Sequence, residues 1–177
     1  ECAQGAPRRG QPARRARARL AARLIPMRPP EPCLVLDGSA RVGVRVGVLQ
    51  GGRWVGEGVA DDGALEATFA CAETALRQAG LALADIRSFA VCVGPGSILG
   101  IRIAALAART WATLEPRPIY VWESLAAGAQ AALAAGQARP FAVALESRLK
   151  RWNTLVVAPA GALGAPAELE PEQVAAL

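Results

Sequence analysis

Residues Ala90 to Leu106 read AVCVGPGSILGIRIAAL, and the fold turns on how that stretch is divided. Ser88 to Val93 is a short, β-rich apolar run. Gly94-Pro95-Gly96-Ser97 breaks it, and an alanine-rich helical pattern runs from Gly100 to Leu114. The stretch therefore reads as strand, tight glycine loop and helix. Glycine permits positive φ and close backbone approach, and proline stiffens the turn. Such a loop points backbone N–H groups outward at a helix N-terminus, where an anion can sit. A strand-to-helix turn that binds nothing has the same sequence pattern.

Working outward, Cys33-Leu34-Val35-Leu36-Asp37-Gly38-Ser39 reads as a buried strand that ends in a carboxylate and a turn. Val42, Val44, Val46 and Val48 recur with a period of two, which marks a second strand. Gln50-Gly51-Gly52-Arg53 reads as a hairpin turn into a third strand, Trp54 to Val59. A helix is expected from Ala64 to Ala79, with Leu65, Phe69, Ala72 and Leu76 on one face and Gly80 as its C-terminal cap. Pro118 to Trp122 gives a fifth strand. Ser124 has the chemistry to cap a helix Leu125–Ala135. Phe141 to Leu145 and Trp152 to Val157 read as a hairpin, followed by a short helical tail, ELEPEQVAAL.

Composition narrows the function classes. The net charge of +5 is unevenly spread: residues 1–32 hold eight arginines and two acids, the remainder twelve basic residues and thirteen acids. The globular part is thus close to neutral and lacks a basic footprint for holding RNA alone. The arginine-rich leader has no signal-peptide core, and Met27 reads as a natural start, so residues 1–26 are expected to be disordered or non-native. No apolar run is long enough to span a membrane. No cysteine pair has metal-ligand spacing, and Cys33, Cys71 and Cys92 read as small buried thiols of a reducing compartment. Histidine is absent, which removes zinc-peptidase, Ser-His-Asp and Cys-His chemistry on these residues.

Gly94-Pro95-Gly96-Ser97-Ile98-Leu99-Gly100-Ile101-Arg102-Ile103 resembles the GPGSFTGLRIG signature of the TsaB (YeaZ-like) family. Ile98-Leu99 stands where Phe-Thr is usual, and Ala104 where glycine is usual. The resemblance implies an α/β chain of the ribonuclease-H-like actin and sugar-kinase superfold. It divides the chain into a β-β-β-α-β-α first domain, residues 33–122, and a shortened second domain, residues 123–177. It further implies a cytoplasmic, non-catalytic subunit of the machinery that makes threonylcarbamoyladenosine in tRNA. The implied partners are a TsaD-like catalytic subunit, a TsaE-like ATPase subunit or a second copy of the chain, with tRNA met only through the complex. No metal or catalytic residue is assigned to this chain, and ATP or ADP with magnesium belongs to the complex interface. Asp37, Gly94, Gly96, Ser97, Gly100 and Arg102 form the nucleotide or phosphate loop by this resemblance. In sugar-kinase relatives a strand-end acid of each domain helps hold magnesium; Asp37 matches the first, whereas Glu146-Ser147-Arg148 is a poor second. The rival readings are an ATP-dependent phosphotransferase on the same superfold and a diverged paralogue that acts only as an interaction module.

The helix Gly100–Leu114 carries two apolar stripes: Ile101, Ala105, Ala108 and Ala112, and then Ile103, Ala107, Thr110 and Leu114. One stripe is expected on the sheet and the other on a partner, because soluble monomers rarely expose an apolar stripe. Ile103, Ala107, Ala108 and Leu114 are the expected partner residues. The resemblance points the same way, since the first two helices form the family's subunit interface. Trp54, Trp111, Trp122 and Trp152 are expected in the core.

Overall fold

Cys33 to Asp37 forms the central strand β1, because its alternating Leu34 and Leu36 are fully buried beneath two helices. The computed structural model describes residues 28–61, 63–147 and 150–177. The expectations for residues 1–26 fall outside them. The end of the supposed leader is part of the domain: the Arg87 N–H donates to the Pro32 carbonyl, the Ser88 hydroxyl to the Pro30 carbonyl, and the Gly52 N–H to Glu31 Oε2.

β2 (Val44–Gln50) and β3 (Arg53–Ala60) follow as a hairpin. Gly51 and Gly52 turn it with φ of 61° and 71°, the left-handed values a two-residue hairpin loop requires. A register shift after Val48 leaves Val55 bulged, with Leu49 opposite Trp54. α1 (Ala64–Ala79) ends at Gly80 in the left-handed conformation, as expected. β4 (Ser88–Cys92) is buried at every position, as a strand between two parallel neighbours should be. α2 (Ile98–Leu114) starts two residues earlier than its pattern suggests, and β5 (Ile119–Trp122) closes the sheet. The order is β3-β2-β1-β4-β5, with β2 antiparallel to β1 and β3, and β4 parallel to β1 and β5. This is the mixed α/β arrangement of a ribonuclease-H-like domain.

Val44, Val46, Val48, Phe89 and Val91 point to the same side as Leu34 and Leu36, where α1 and α2 cover them. Each such side chain contributes roughly 1.5–3 kcal/mol by burial. The opposite face, with Val35, Leu49, Ala90, Tyr120 and Trp122, borders an open cleft of about 660 Å³. Trp54 belongs to that face. It lies across Gly47 and is 62 % exposed, so it is not a core residue. Trp111 comes closer to the expectation, half-buried with its ring against Phe69 and Phe89.

After β5, α3 (Ser124–Ala134) packs Leu125 and Ala129 against Leu155 and Val157 of a second sheet. That sheet is antiparallel, in the order β6 (Phe141–Glu146), β7 (Trp152–Val157), β8 (Ala167–Leu169). The expected helical tail is therefore corrected. Its first residues pair with β7 as β8, and only Pro171–Val174, α4, is helical. Among the described residues no helix is long and apolar enough to cross a membrane.

Candidate functional site

The turn after β1 and the loop after β4 meet at the start of α2. Asp37 Oδ1 accepts the Ser39 N–H at 2.8 Å, so the carboxylate shapes its own turn, as aspartate does in Asx-turns. The turn brings Gly38 directly against Gly100. A Cβ on Gly38 would lie 2.4 Å from the Gly100 carbonyl oxygen, and one on Gly100 would lie 2.0 Å from that of Gly38. Neither position admits a side chain. The first turn of α2 therefore rests on bare backbone.

The glycine loop is held from two sides. On the first, the Ser97 N–H donates to the Ser39 carbonyl at 2.7 Å, and a Cβ on Gly96 would lie 2.1 Å from that same oxygen. On the second, Ser124 reaches over from α3. Its N–H donates to the Gly94 carbonyl at 2.9 Å and its hydroxyl to the Pro95 carbonyl at 2.7 Å. Ser97 caps α2 by accepting the Gly100 N–H. Ser124 caps nothing: it is the first residue of α3, whose N-cap Glu123 makes no side-chain bond. That corrects the capping role expected for it.

Between the loop and the second sheet lies a cleft of about 660 Å³. Ser39, Gly96 and Ser97 form one wall; Glu146, Ser147, Lys150 and Asn153 form the other. The Arg41 guanidinium bridges the walls to Glu146 at 3.1 Å. Both partners are well exposed, so the pair contributes at most about 1 kcal/mol. Lys150 sits at φ 61°, a left-handed backbone that few non-glycine residues adopt. Beside it Arg151 pairs with Glu170 and Glu168, and hydrogen bonding to Glu170 followed by the two charges raises its already high pKa. Behind the loop, burial pushes the Cys92 thiol up, with a hydrogen bond from Ser39 opposing it.

Gly94, Gly96, Ser97 and Gly100 are thus brought together, with Gly96 and Ser97 on the cleft wall. Asp37 lines the other cleft, on the open face of the sheet. Arg102 is exposed on α2, and among the described residues the cations lining this cleft are Arg41 and Lys150. Asp37 and Glu146 face different cavities, one engaged in its own turn and the other paired with Arg41, so the two acids do not fit a shared magnesium–phosphate site. Ile103, Ala107 and Ala108 are at most 9 % exposed, the two alanines within the core against the sheet, which removes all three as partner residues; Leu114 is 80 % exposed. The outward side chains of α2 are instead Leu99, 67 % exposed, and Leu106, 64 % exposed. Spacings of seven and eight residues place Leu99, Leu106 and Leu114 along one side of the helix. Sequence reasoning missed Ser39, Arg41, Leu99 and Leu106. Only Leu99 carried a signal, as an apolar residue where the resembled signature has threonine.

The glycine loop lies, with α1, β4, α2, β5, α3 and β6, within residues 59–152, which match the family model of TsaD, tRNA N6-adenosine threonylcarbamoyltransferase. That is more than half of the chain. The chain belongs to this family. Among solved structures it is similar to YeaZ from Pseudomonas aeruginosa, with 27 % identity and a TM-score of 0.69 over 80 % of this chain and 68 % of that one. A second structure, described as an uncharacterized protein with similarity to the peptidase YeaZ from the same organism, matches at 28 % identity and a TM-score of 0.68, with the same coverage. No curated protein matches the chain. Within the family the chain is of the TsaB/YeaZ type, and its fold is that of the ribonuclease-H-like actin and sugar-kinase group.

Proposed function

We propose that this TsaD-related chain is a non-catalytic subunit of the machinery that modifies adenosine in tRNA with a threonylcarbamoyl group. It pairs with a TsaD-like catalytic subunit through the outer face of α1 and α2. The observation that carries this reading is the exposed row Leu99, Leu106 and Leu114 on α2, with Phe69 of α1, 49 % exposed, against Trp111. Apolar side chains this exposed, clustered on one helix pair, mark an interaction surface in a soluble protein. The lack of histidine supports a subunit that leaves the chemistry to its partner. The near-neutral globular part supports contact with tRNA by way of the complex.

The test is to mix the chain with a TsaD-like catalytic subunit and follow both sedimentation and threonylcarbamoyl transfer to tRNA. A one-to-one complex is expected, together with no transfer by this chain alone. Transfer by the chain alone would overturn the non-catalytic role. Separate sedimentation at micromolar concentration would overturn the pairing. A second copy of the chain competes for the same leucines, and self-association is expected to weaken as the partner is added.

A further inference from the structure

Ser124 has an unusual position for its hydrogen bonds. A serine at the start of a helix normally satisfies the helix's own N–H groups. Here the helix is left without a side-chain cap, while both the N–H and the hydroxyl of Ser124 go to the glycine loop, on the Gly94 and Pro95 carbonyls. α3 is part of the second lobe, through Leu125 and Ala129. The loop in turn fixes α2: the Ser97 N–H donates to the Ser39 carbonyl, and its hydroxyl accepts from the N–H of Gly100, the residue after Leu99. Leu99 lines the cleft and is also one of the outward leucines.

We propose that Ser124 is a positioning residue. Through it the seating of the second lobe sets the geometry of the Gly94–Ser97 loop, and with it the first turn of α2 where cleft and outer face meet. A shift of α3 relative to the first sheet pulls on two adjacent loop carbonyls. Proline at 95 and the close backbone contacts at Gly96 and Gly100 leave the loop little freedom to absorb that shift locally. The displacement is therefore passed to Ser97 and the α2 start. The structural coupling stands by itself; its consequence for partner binding rests on the reading proposed above.

The experiment is amide hydrogen exchange on the full chain carrying Ser124→Ala, Ser124→Cys or Ser124→Thr. Ser97 and Gly100 report the loop. Ala127, whose N–H bonds to the Glu123 carbonyl, reports the start of α3, and β1 reports the fold. Ser124→Ala is expected to speed exchange at Ser97 and Gly100 about fivefold, the size expected for one lost hydrogen bond, with Ala127 and β1 unchanged. Ser124→Thr, which keeps the hydroxyl, is expected to restore protection. Ser124→Cys, a weaker donor, gives a smaller loop-specific change and decides the matter if the alanine variant fails to fold. Faster exchange at Ala127 with Ser97 unaltered would overturn the proposal, as would no change at either place. Affinity for the catalytic subunit is measured in parallel. Were the wild-type chain not to bind, the reading of the outer face would fail while the exchange data still judged the coupling.

Discussion

The two faces of α2 have nearly the same apolar character in sequence and opposite fates in the fold. The inner face presents Ala104, Ala107 and Ala108 to the sheet and Gly100 to Gly38, and these small residues let the helix settle onto β1 and β4. The outer face presents the larger Leu99, Leu106 and Leu114 to solvent. In a helix that covers only its own sheet, the bulky leucines would face inward and the alanines outward. The reversal is what the proposed partner surface would require of this helix. Small residues serve a close helix–sheet contact, and the large ones stand exposed on the other side.

The comparison breaks most visibly on the inner face. Ala107→Arg and Ala108→Arg each place an unpaired charge in the core, at a cost of several kcal/mol, so both variants are expected to be unfolded in circular dichroism at 25 °C. Had the two stripes of the sequence pattern been real, only one of the pair would unfold. Next in size is Gly100→Ala. Its new Cβ meets the Gly38 carbonyl, and the expected loss of roughly 1–3 kcal/mol is read as a lower urea midpoint with unchanged slope.

A smaller effect concerns the thiols under the same sheet. Burial raises the pKa of Cys33, Cys71 and Cys92, so the folded protein keeps them protonated at a pH where the unfolded chain ionises. The contribution to stability is full below roughly pH 8.5, where unfolded thiols begin to ionise, and declines as the pH rises through the higher folded values. Denaturation midpoints measured from pH 7 to 10 should fall over the upper part of that range. Replacing all three cysteines with alanine should flatten that fall.

Much of this was legible in the sequence. The period of two in β2, the Gly-Gly hairpin, the cap at Gly80 and the strand–loop–helix division around Gly94 are local signals, and each appears within two residues of where it was read: β2 starts at Val44 and leaves Val42 exposed, and α2 starts at Ile98. What escaped is long-range. Alanine is compatible with either side of a helix, so counting apolar positions on α2 could not tell its inner face from its outer one. Ser124 carries the same cue whether it caps α3 or ties down a loop 29 residues earlier. Arg41 and Glu146 are 105 residues apart, and no local pattern pairs them. Residues 167–169 are rich in helix formers, yet pairing with β7 overrides that propensity.

The central claim is that the outer leucines of α2 are held for a partner subunit, and Leu106→Arg tests it most directly. The side chain is largely exposed, so the variant should keep its urea midpoint to within about 0.5 kcal/mol of the wild type. Sedimentation velocity of the variant mixed with a TsaD-like catalytic subunit should show two separate species under conditions where the wild-type chain forms one complex, with affinity reduced by at least about thirtyfold. A folded Leu106→Arg variant that sediments with the partner as tightly as the wild type would contradict the account.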